Sequence, residues 1–159
     1  MMRILFLIGF SFLIALLLEI VPIPNWAIWF RPAFVLLILI FWTLTAPNLV
    51  GIIVAFLLGL IMDLLMGTLL GTHSAIFVMI IYVVLRFHMR IRLIPLWQQT
   101  IIIFGLVLWY QIFLSWCSGL LGEFRADLWF WLPALTSIVI WPWIYTILKT
   151  YSRYQTRRR

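Results

Sequence analysis

Long apolar runs, separated by short stretches rich in proline, amide or charged residues, occupy almost the whole of this chain. The hydrocarbon core of a bilayer is about 30 Å thick, and a helix needs roughly 20 apolar residues to cross it. Of the 159 residues, 67% are hydrophobic and 9% are charged, whereas about a quarter of the residues in an ordinary soluble domain are charged. The runs therefore predict an integral membrane protein and exclude a single core surrounded by water.

Six apolar runs can be distinguished, and each predicts a transmembrane helix. They cover residues 4–21, 33–46, 49–66, 69–85, 100–121 and 128–148. The predicted fold class is an all-α, polytopic bundle of six transmembrane helices in one domain, residues 1–159, with a basic tail at 149–159. The second run is the shortest, so we expect a short, kinked or re-entrant helix there. The first run also resembles a signal peptide, but no small-x-small cleavage site follows it, which favours a retained helix.

The basic residues are sorted between the two sides of this predicted bundle. Six crossings place both termini, the connection between the second and third helices, and the connection between the fourth and fifth helices on one side. Of the basic residues, the other side holds only Arg31 and Arg125. Because short cytoplasmic loops carry an excess of Lys and Arg, we expect both termini in the cytoplasm. The nine basic residues on that side are Arg3, Arg86, Arg90, Arg92, Lys149, Arg153, Arg157, Arg158 and Arg159.

The basic tail has two interpretations. It can attract anionic lipids of the bilayer, or it can simply be the cytoplasmic flank of the last helix, which is the interpretation we favour. The net charge of +7 does not predict nucleic-acid binding, because no basic groove with interleaved aromatic residues accompanies it.

Small residues recur every four positions along the third run. Four residues turn a helix by about 400°, so these positions form a ridge that winds slowly around the helix. Such ridges let helix backbones approach closely in lipid. The ridge predicts either packing inside the bundle or a groove for a partner helix. Its members are Gly51, Ala55, Gly59, Asp63, Gly67 and Gly71.

Asp63 is a carboxylate within this ridge, and exposing it to lipid would be costly. We therefore expect it to face the interior of the bundle, with His73 and Thr72 as the nearest candidate partners. A structural hydrogen bond or a helix cap is the favoured role. A proton relay or substrate site is the alternative, for which Glu19 is the other candidate carboxylate.

Motifs of catalysis and metal binding are absent from the sequence. It contains no Gly-x-Ser-x-Gly, no His-Glu-x-x-His and no aspartate pair suited to an intramembrane protease. Cys117 has no histidine nearby in its own run. We therefore predict neither an enzyme nor a bound cofactor or metal.

Several motifs, taken in their order and spacing, resemble the rod-shape-determining MreD family of Gram-negative bacteria. They include Phe30-Arg31-Pro32 followed by an apolar run, Asp63 with Gly67 and Gly71, Leu96-Trp-Gln-Gln99, and Trp141-Pro142-Trp-Ile144. The likeness extends over almost the whole chain. It adds Arg31, Pro32, Trp141 and Pro142 to the candidate partner-binding or structural residues.

The resemblance implies a function that composition alone does not show. Members of this family are small membrane subunits of the cell-elongation machinery, without a reaction of their own. They pair with the bitopic membrane protein MreC and link the actin-like MreB filament to the glycosyltransferase and transpeptidase that build lateral-wall peptidoglycan. The fold also looks similar to substrate-binding subunits of vitamin-uptake transporters, so small-molecule binding is the alternative.

Overall fold

The computed structural model describes residues 2–21, 32–120 and 131–156, and in these ranges all regular structure is helical. The prediction of an all-α membrane protein is therefore confirmed. Six helices are present in the described ranges: α1 Met2–Ile20, α2 Phe34–Thr45, α3 Ile52–Met66, α4 Thr72–Leu93, α5 Leu96–Leu120 and α6 Leu132–Thr156.

The helices differ in length. Three are long and apolar enough to cross a membrane, over Thr72–Leu93, Leu96–Gly119 and Leu132–Thr150. The other three are apolar but shorter, over Ile4–Ile20, Phe34–Thr45 and Ile52–Met66. Six crossings remain a prediction, although a helix occupies each of the six predicted positions.

The ends of α4 and α5 differ from the predicted runs. We expected the fourth helix over 69–85, but α4 covers Thr72–Leu93. It begins later because Gly71, at its N-cap, has a φ of +103° that ends the preceding turn. It ends later because Arg86, Arg90 and Arg92 interrupt an apolar run without interrupting a helix, since arginine is a good helix former. Helix α5 likewise begins at Leu96 and not at residue 100, because Gln98 and Gln99 end the apolar run but are good helix formers.

Helix α2 is the centre of the bundle. It has twelve residues, and ten of them are buried. It packs against α1, α4 and α6. A helix that is apolar on every side can be stable only where other elements surround it, or in lipid. Its length of about 18 Å agrees with the expected short second helix, and Pro32 lies two residues before its first residue, Phe34.

Hydrogen bonds and aromatic contacts attach α1 and α6 to this central helix. The indole Nε1 of Trp42 donates to the hydroxyl of Ser11 on α1 at 2.7 Å, and that hydroxyl donates to the carbonyl of Ile8 at 2.8 Å. On the side of α6, the rings of Phe41 and Tyr145 meet edge to face with centroids 5.8 Å apart.

Candidate functional site

A buried carboxylate lies at the junction of α3 and α4. Asp63, in the last turns of α3, is 1% exposed, and both of its oxygens accept hydrogen bonds. Oδ1 accepts from the hydroxyl of Thr68, and from the backbone amide and the Nδ1 of His73, each at 2.9 Å. Oδ2 accepts from the amide of Gly71 at 2.8 Å and from the hydroxyl of Ser74 at 3.3 Å.

Two of these donors are backbone amides at the start of α4. The first amides of a helix have no partner within the helix, and a side chain at the N-cap usually accepts from one of them. The N-cap residue here is Gly71, which has no side chain. Asp63 supplies the missing acceptor from the neighbouring helix, and its negative charge lies at the positive end of the α4 dipole. This is the arrangement that the helix-capping interpretation predicts.

His73 connects the carboxylate to an aromatic cluster. An ionised carboxylate only accepts hydrogen bonds, so Nδ1 of His73 carries the hydrogen shared with Asp63. The imidazole lies 6.2 Å from the ring of Phe77 on α4 and 6.0 Å from the ring of Tyr110 on α5, between centroids. The site therefore joins α3, α4 and α5 through one buried side chain.

The predicted contact between Asp63 and His73 is present. The expected partner Thr72 has a different role, because its amide donates to the carbonyl of Leu69 at 3.1 Å. The hydroxyls that reach the carboxylate belong to Thr68 and Ser74. Sequence spacing did not identify these two, since the turn that brings them back onto Asp63 depends on the left-handed backbone of Gly67 and Gly71.

The acceptor capacity of Asp63 limits what it can do chemically. A carboxylate has about four lone-pair positions, and five protein donors already point at it. A substrate, a metal ion or a transferred proton would have to displace one of these donors. In the described ranges, no group of three His, Cys, Asp or Glu side chains is placed to hold a metal ion.

The central part of the small-residue ridge faces α4. Ala55 and Asp63 are buried, and a β-carbon at Gly59 would lie 2.6 Å from the amide nitrogen of Ser74. Gly51 is the N-cap residue of α3. Gly67 and Gly71 lie beyond the helix, where their φ angles of +65° and +103° shape the turn into α4. The repeat thus contains one helix-packing surface and two turn glycines, and not a single continuous ridge.

Of the other candidate residues, those that the structure describes lie at the start of α2 and in α6. Arg31 is outside the described residues, as is Arg125 on the same predicted side. Pro32 is buried at the start of α2. Trp141 is fully buried, with its ring centroid 6.0 Å from that of Tyr145. Pro142 lies inside α6, and its carbonyl accepts from the hydroxyl of Thr146 at 2.7 Å.

The apolar helices and the buried, capped carboxylate together define an integral membrane protein with an all-helical fold. A family model described as rod shape-determining protein MreD matches residues 2–151. The Rod shape-determining protein MreD of Haemophilus influenzae is 31% identical over 147 residues, which cover 89% of this chain and 88% of the relative. The chain therefore belongs to the rod shape-determining protein MreD family. No solved structure matches the chain.

Membership of this family confirms the resemblance found in the sequence. It gives the chain a role in determining rod shape, as a membrane component of the shape-determining complex. The family is a structural one and is not known as a family of enzymes.

Proposed function

We propose that this chain is a non-enzymatic scaffold subunit of the cell-elongation complex and that it binds an MreC-like bitopic membrane protein. Through that partner it would link the actin-like MreB filament to the glycosyltransferase and transpeptidase of lateral-wall synthesis. The observation that carries the proposal is the family match over residues 2–151, because it spans α1 to α5 and most of α6 and not one motif alone.

The geometry at Asp63 supports a structural role. A catalytic or transporting carboxylate must be able to exchange its partners during the reaction. Here both oxygens are engaged by backbone amides of α4, so releasing them would uncap that helix. The vitamin-binding alternative requires polar groups that converge on an empty pocket. The polar groups around Asp63 do not form such a pocket, because they bind one another.

The surface available to a partner differs from the ridge that the sequence suggested. Because the backbone of α4 packs directly against Gly59, a partner helix would have to bind another surface of the protein. The opposite side of α3 carries large exposed apolar residues that repeat with the helical period, among them Ile53, Leu57 and Leu64.

We further propose that the protein resides in the bacterial inner membrane with both termini in the cytoplasm. The support is the sorting of the basic residues, together with their positions at helix ends. Arg90 and Arg92 lie in the last turn of α4. This end carries the negative pole of the helix dipole, where cations are favourable.

Depletion of the protein from a rod-shaped host, combined with co-purification, tests the proposed function. We expect round, widened cells, and we expect the MreC-like protein to co-purify with the tagged chain from detergent. Re-expression of the wild-type chain is the control and should restore rods. Normal rods after complete depletion would contradict the role in shape. Recovery of the tagged chain without any MreC-like protein, under conditions that preserve other membrane complexes, would contradict the scaffold proposal.

A further inference from the structure

A cavity of about 470 Å³ opens at the end of the bundle where the basic residues collect. Its walls come from the N-terminal turn of α1, the end of α2 with the α2–α3 connection, the ends of α4 and α5 that meet at their connection, and the C-terminal half of α6. These are the four segments that the charge pattern assigns to the cytoplasmic side. The residues that matter for its chemistry are Ile4, Trp42, Arg92, Gln99, Tyr145 and Lys149.

The charged residues on the cavity wall are cationic. Arg92 and Lys149 line it from two different helices, and the described lining contains no carboxylate. Lys149 is held in place, because its Nζ donates to the hydroxyl of Tyr145 at 3.0 Å and lies 4.6 Å from the centroid of that ring. A lysine that only marks the cytoplasmic flank of a helix would extend into water. Here the ammonium group is instead directed along the wall of a cavity.

A buried amide adds a neutral donor to the same wall. Gln99 is 1% exposed, and its Nε2 donates to the carbonyl of Ile91 at 3.5 Å, near the upper limit for a hydrogen bond. The amide group carries two hydrogens, and this long bond uses one of them. Gln99 belongs to the Leu96-Trp-Gln-Gln99 motif, for which the proposed scaffold function offers no use.

An apolar groove of about 330 Å³ lies beside the cavity, between α1 and α6. It shares Trp42 with the cavity. Its other walls are Leu7, Phe10, Ile14, Ile147 and Leu148, with Ser11, whose hydroxyl is occupied by the Trp42 indole and the Ile8 carbonyl. Leu148 is followed directly by Lys149, so the groove and the cationic wall are adjacent on α6.

We propose that the cavity binds the phosphate of an anionic phospholipid through Arg92, Lys149 and Gln99, with one acyl chain of that lipid in the α1–α6 groove. Cations and a donor amide suit a phosphodiester, and basic pockets between helices on the cytoplasmic side are known to suit anionic headgroups. The adjoining apolar groove selects a lipid over a free phosphate. In this arrangement the indole of Trp42, which lines both the cavity and the groove, lies between the headgroup and the acyl chain.

Native mass spectrometry of the purified full-length chain in neutral detergent tests this proposal. The probes are phosphatidylglycerol, phosphatidylcholine with the same acyl chains, dihexanoyl phosphatidylglycerol and inorganic phosphate. We expect the long-chain phosphatidylglycerol to bind most tightly. The variant with Arg92→Gln and Lys149→Gln should weaken its binding about thirtyfold, the change that corresponds to two lost charge contacts near a surface.

A variant with Arg86→Gln and Arg90→Gln is the matched control. It removes the same charge from the same end of the bundle, but neither residue lines the cavity. Its affinity for phosphatidylglycerol should stay within a factor of about three, within the usual scatter of a surface substitution. Tyr145→Phe, which removes the acceptor that positions Lys149, should give an intermediate loss and keeps the packing of the ring.

The comparisons among probes and variants distinguish a bound phospholipid from free phosphate and from diffuse attraction to charge. Equal losses in the two double variants would show diffuse attraction to charge and would overturn the site. Equal affinity for phosphatidylcholine would overturn the preference for an anionic lipid. Equal affinity for inorganic phosphate or for the dihexanoyl lipid would overturn the groove as an acyl-chain site. These measurements use the chain without its partner, so their result does not depend on the proposed scaffold function.

Discussion

Gly59 and Ser74 bring α3 and α4 to backbone contact. A β-carbon on Gly59 would lie 2.6 Å from the amide nitrogen of Ser74 and 2.9 Å from the carbonyl carbon of His73, closer than side chains normally approach a backbone. The same stretch of α4 donates to Asp63 one turn further along α3. The close approach and the capped carboxylate are therefore two parts of one helix–helix contact.

Replacing Gly59 with Leu should displace α4 from α3. Forcing extra atoms into a packed interior typically costs about 1–3 kcal/mol, and we expect the upper end of that range because the obstacle is backbone. In lipid, close packing is a main reason for helices to associate. The level of the protein in the membrane and the amount of co-purified MreC-like protein should fall together, as measured by quantitative immunoblotting.

Gly105→Leu is the matched control for this substitution. Gly105 lies in α5, and a β-carbon there would have no neighbour within 4 Å. We expect normal protein level and normal co-purification. If Gly59→Leu lowered co-purification while the protein level stayed normal, the ridge would be a partner surface and its assignment to internal packing would be wrong.

The contact between Asp63 and His73 could be expected from the sequence, but the complete site could not. A carboxylate in an apolar run must find donors inside the protein, and a histidine ten residues later lies across a short turn. Thr68 and the amide of Gly71 reach Asp63 only because Gly67 and Gly71 adopt positive φ. Backbone angles of this kind follow from the three-dimensional path of the turn and not from residue spacing.

The central position of α2 was also only partly accessible from sequence. Its short apolar run indicates a helix that is buried on all sides or surrounded by lipid, and hydropathy does not separate the two environments. The hydrogen bond from Trp42 to Ser11 distinguishes them, because a polar tie between α1 and α2 places protein around the indole. That pairing connects residues 31 positions apart, beyond the range of periodicity arguments.

Ser11→Ala should destabilise the junction of α1 and α2. The substitution leaves the buried Nε1 of Trp42 without its acceptor, which costs about 1–3 kcal/mol. We expect a lower melting temperature of the purified protein in detergent, measured by circular dichroism. In a double-mutant cycle, Trp42→Phe combined with Ser11→Ala should lower the free energy of unfolding by less than the sum of the two single changes.

Ser118→Ala provides the control for loss of a hydroxyl. Ser118 lies on α5, where its hydroxyl donates to the carbonyl of Leu114 within the same helix at 3.0 Å. Removing it leaves that carbonyl with its helical partner, so the melting temperature should change little. Equal effects of the two serine substitutions, or additive effects in the cycle, would contradict a specific Ser11–Trp42 contact.

The topology can be tested with reporter fusions. Fusions after Arg92 and Arg159 should report the cytoplasm, and fusions near Asn25 and Arg125 should report the periplasm, because the basic residues are sorted nine to two between these sides. The measurement is alkaline phosphatase activity, which reports the periplasm, paired with the fluorescence of green fluorescent protein, which reports the cytoplasm. A periplasmic signal from the fusion after Arg92 would contradict the six-crossing arrangement.

Substitutions of Asp63 distinguish a capping residue from a proton carrier. Asn keeps one acceptor oxygen but places an NH₂ group where Oδ2 accepts from the amide of Gly71. We expect the loss of about one hydrogen bond, roughly 1–2 kcal/mol, with rod shape maintained. Ala removes every acceptor at the start of α4 and should cost about 2–4 kcal/mol, lowering the protein level in the membrane and the fraction of rod-shaped cells together.

Protein level and cell shape must be measured in the same cells for this comparison. If Asp63 caps α4, the fraction of rods should follow the amount of protein for both variants, and raising expression of the Asp63→Asn chain should restore full rod shape. A proton carrier would behave differently, because Asn cannot ionise at any expression level. Complete loss of rod shape with Asp63→Asn at normal protein level would therefore refute the structural role and favour the transport-like alternative.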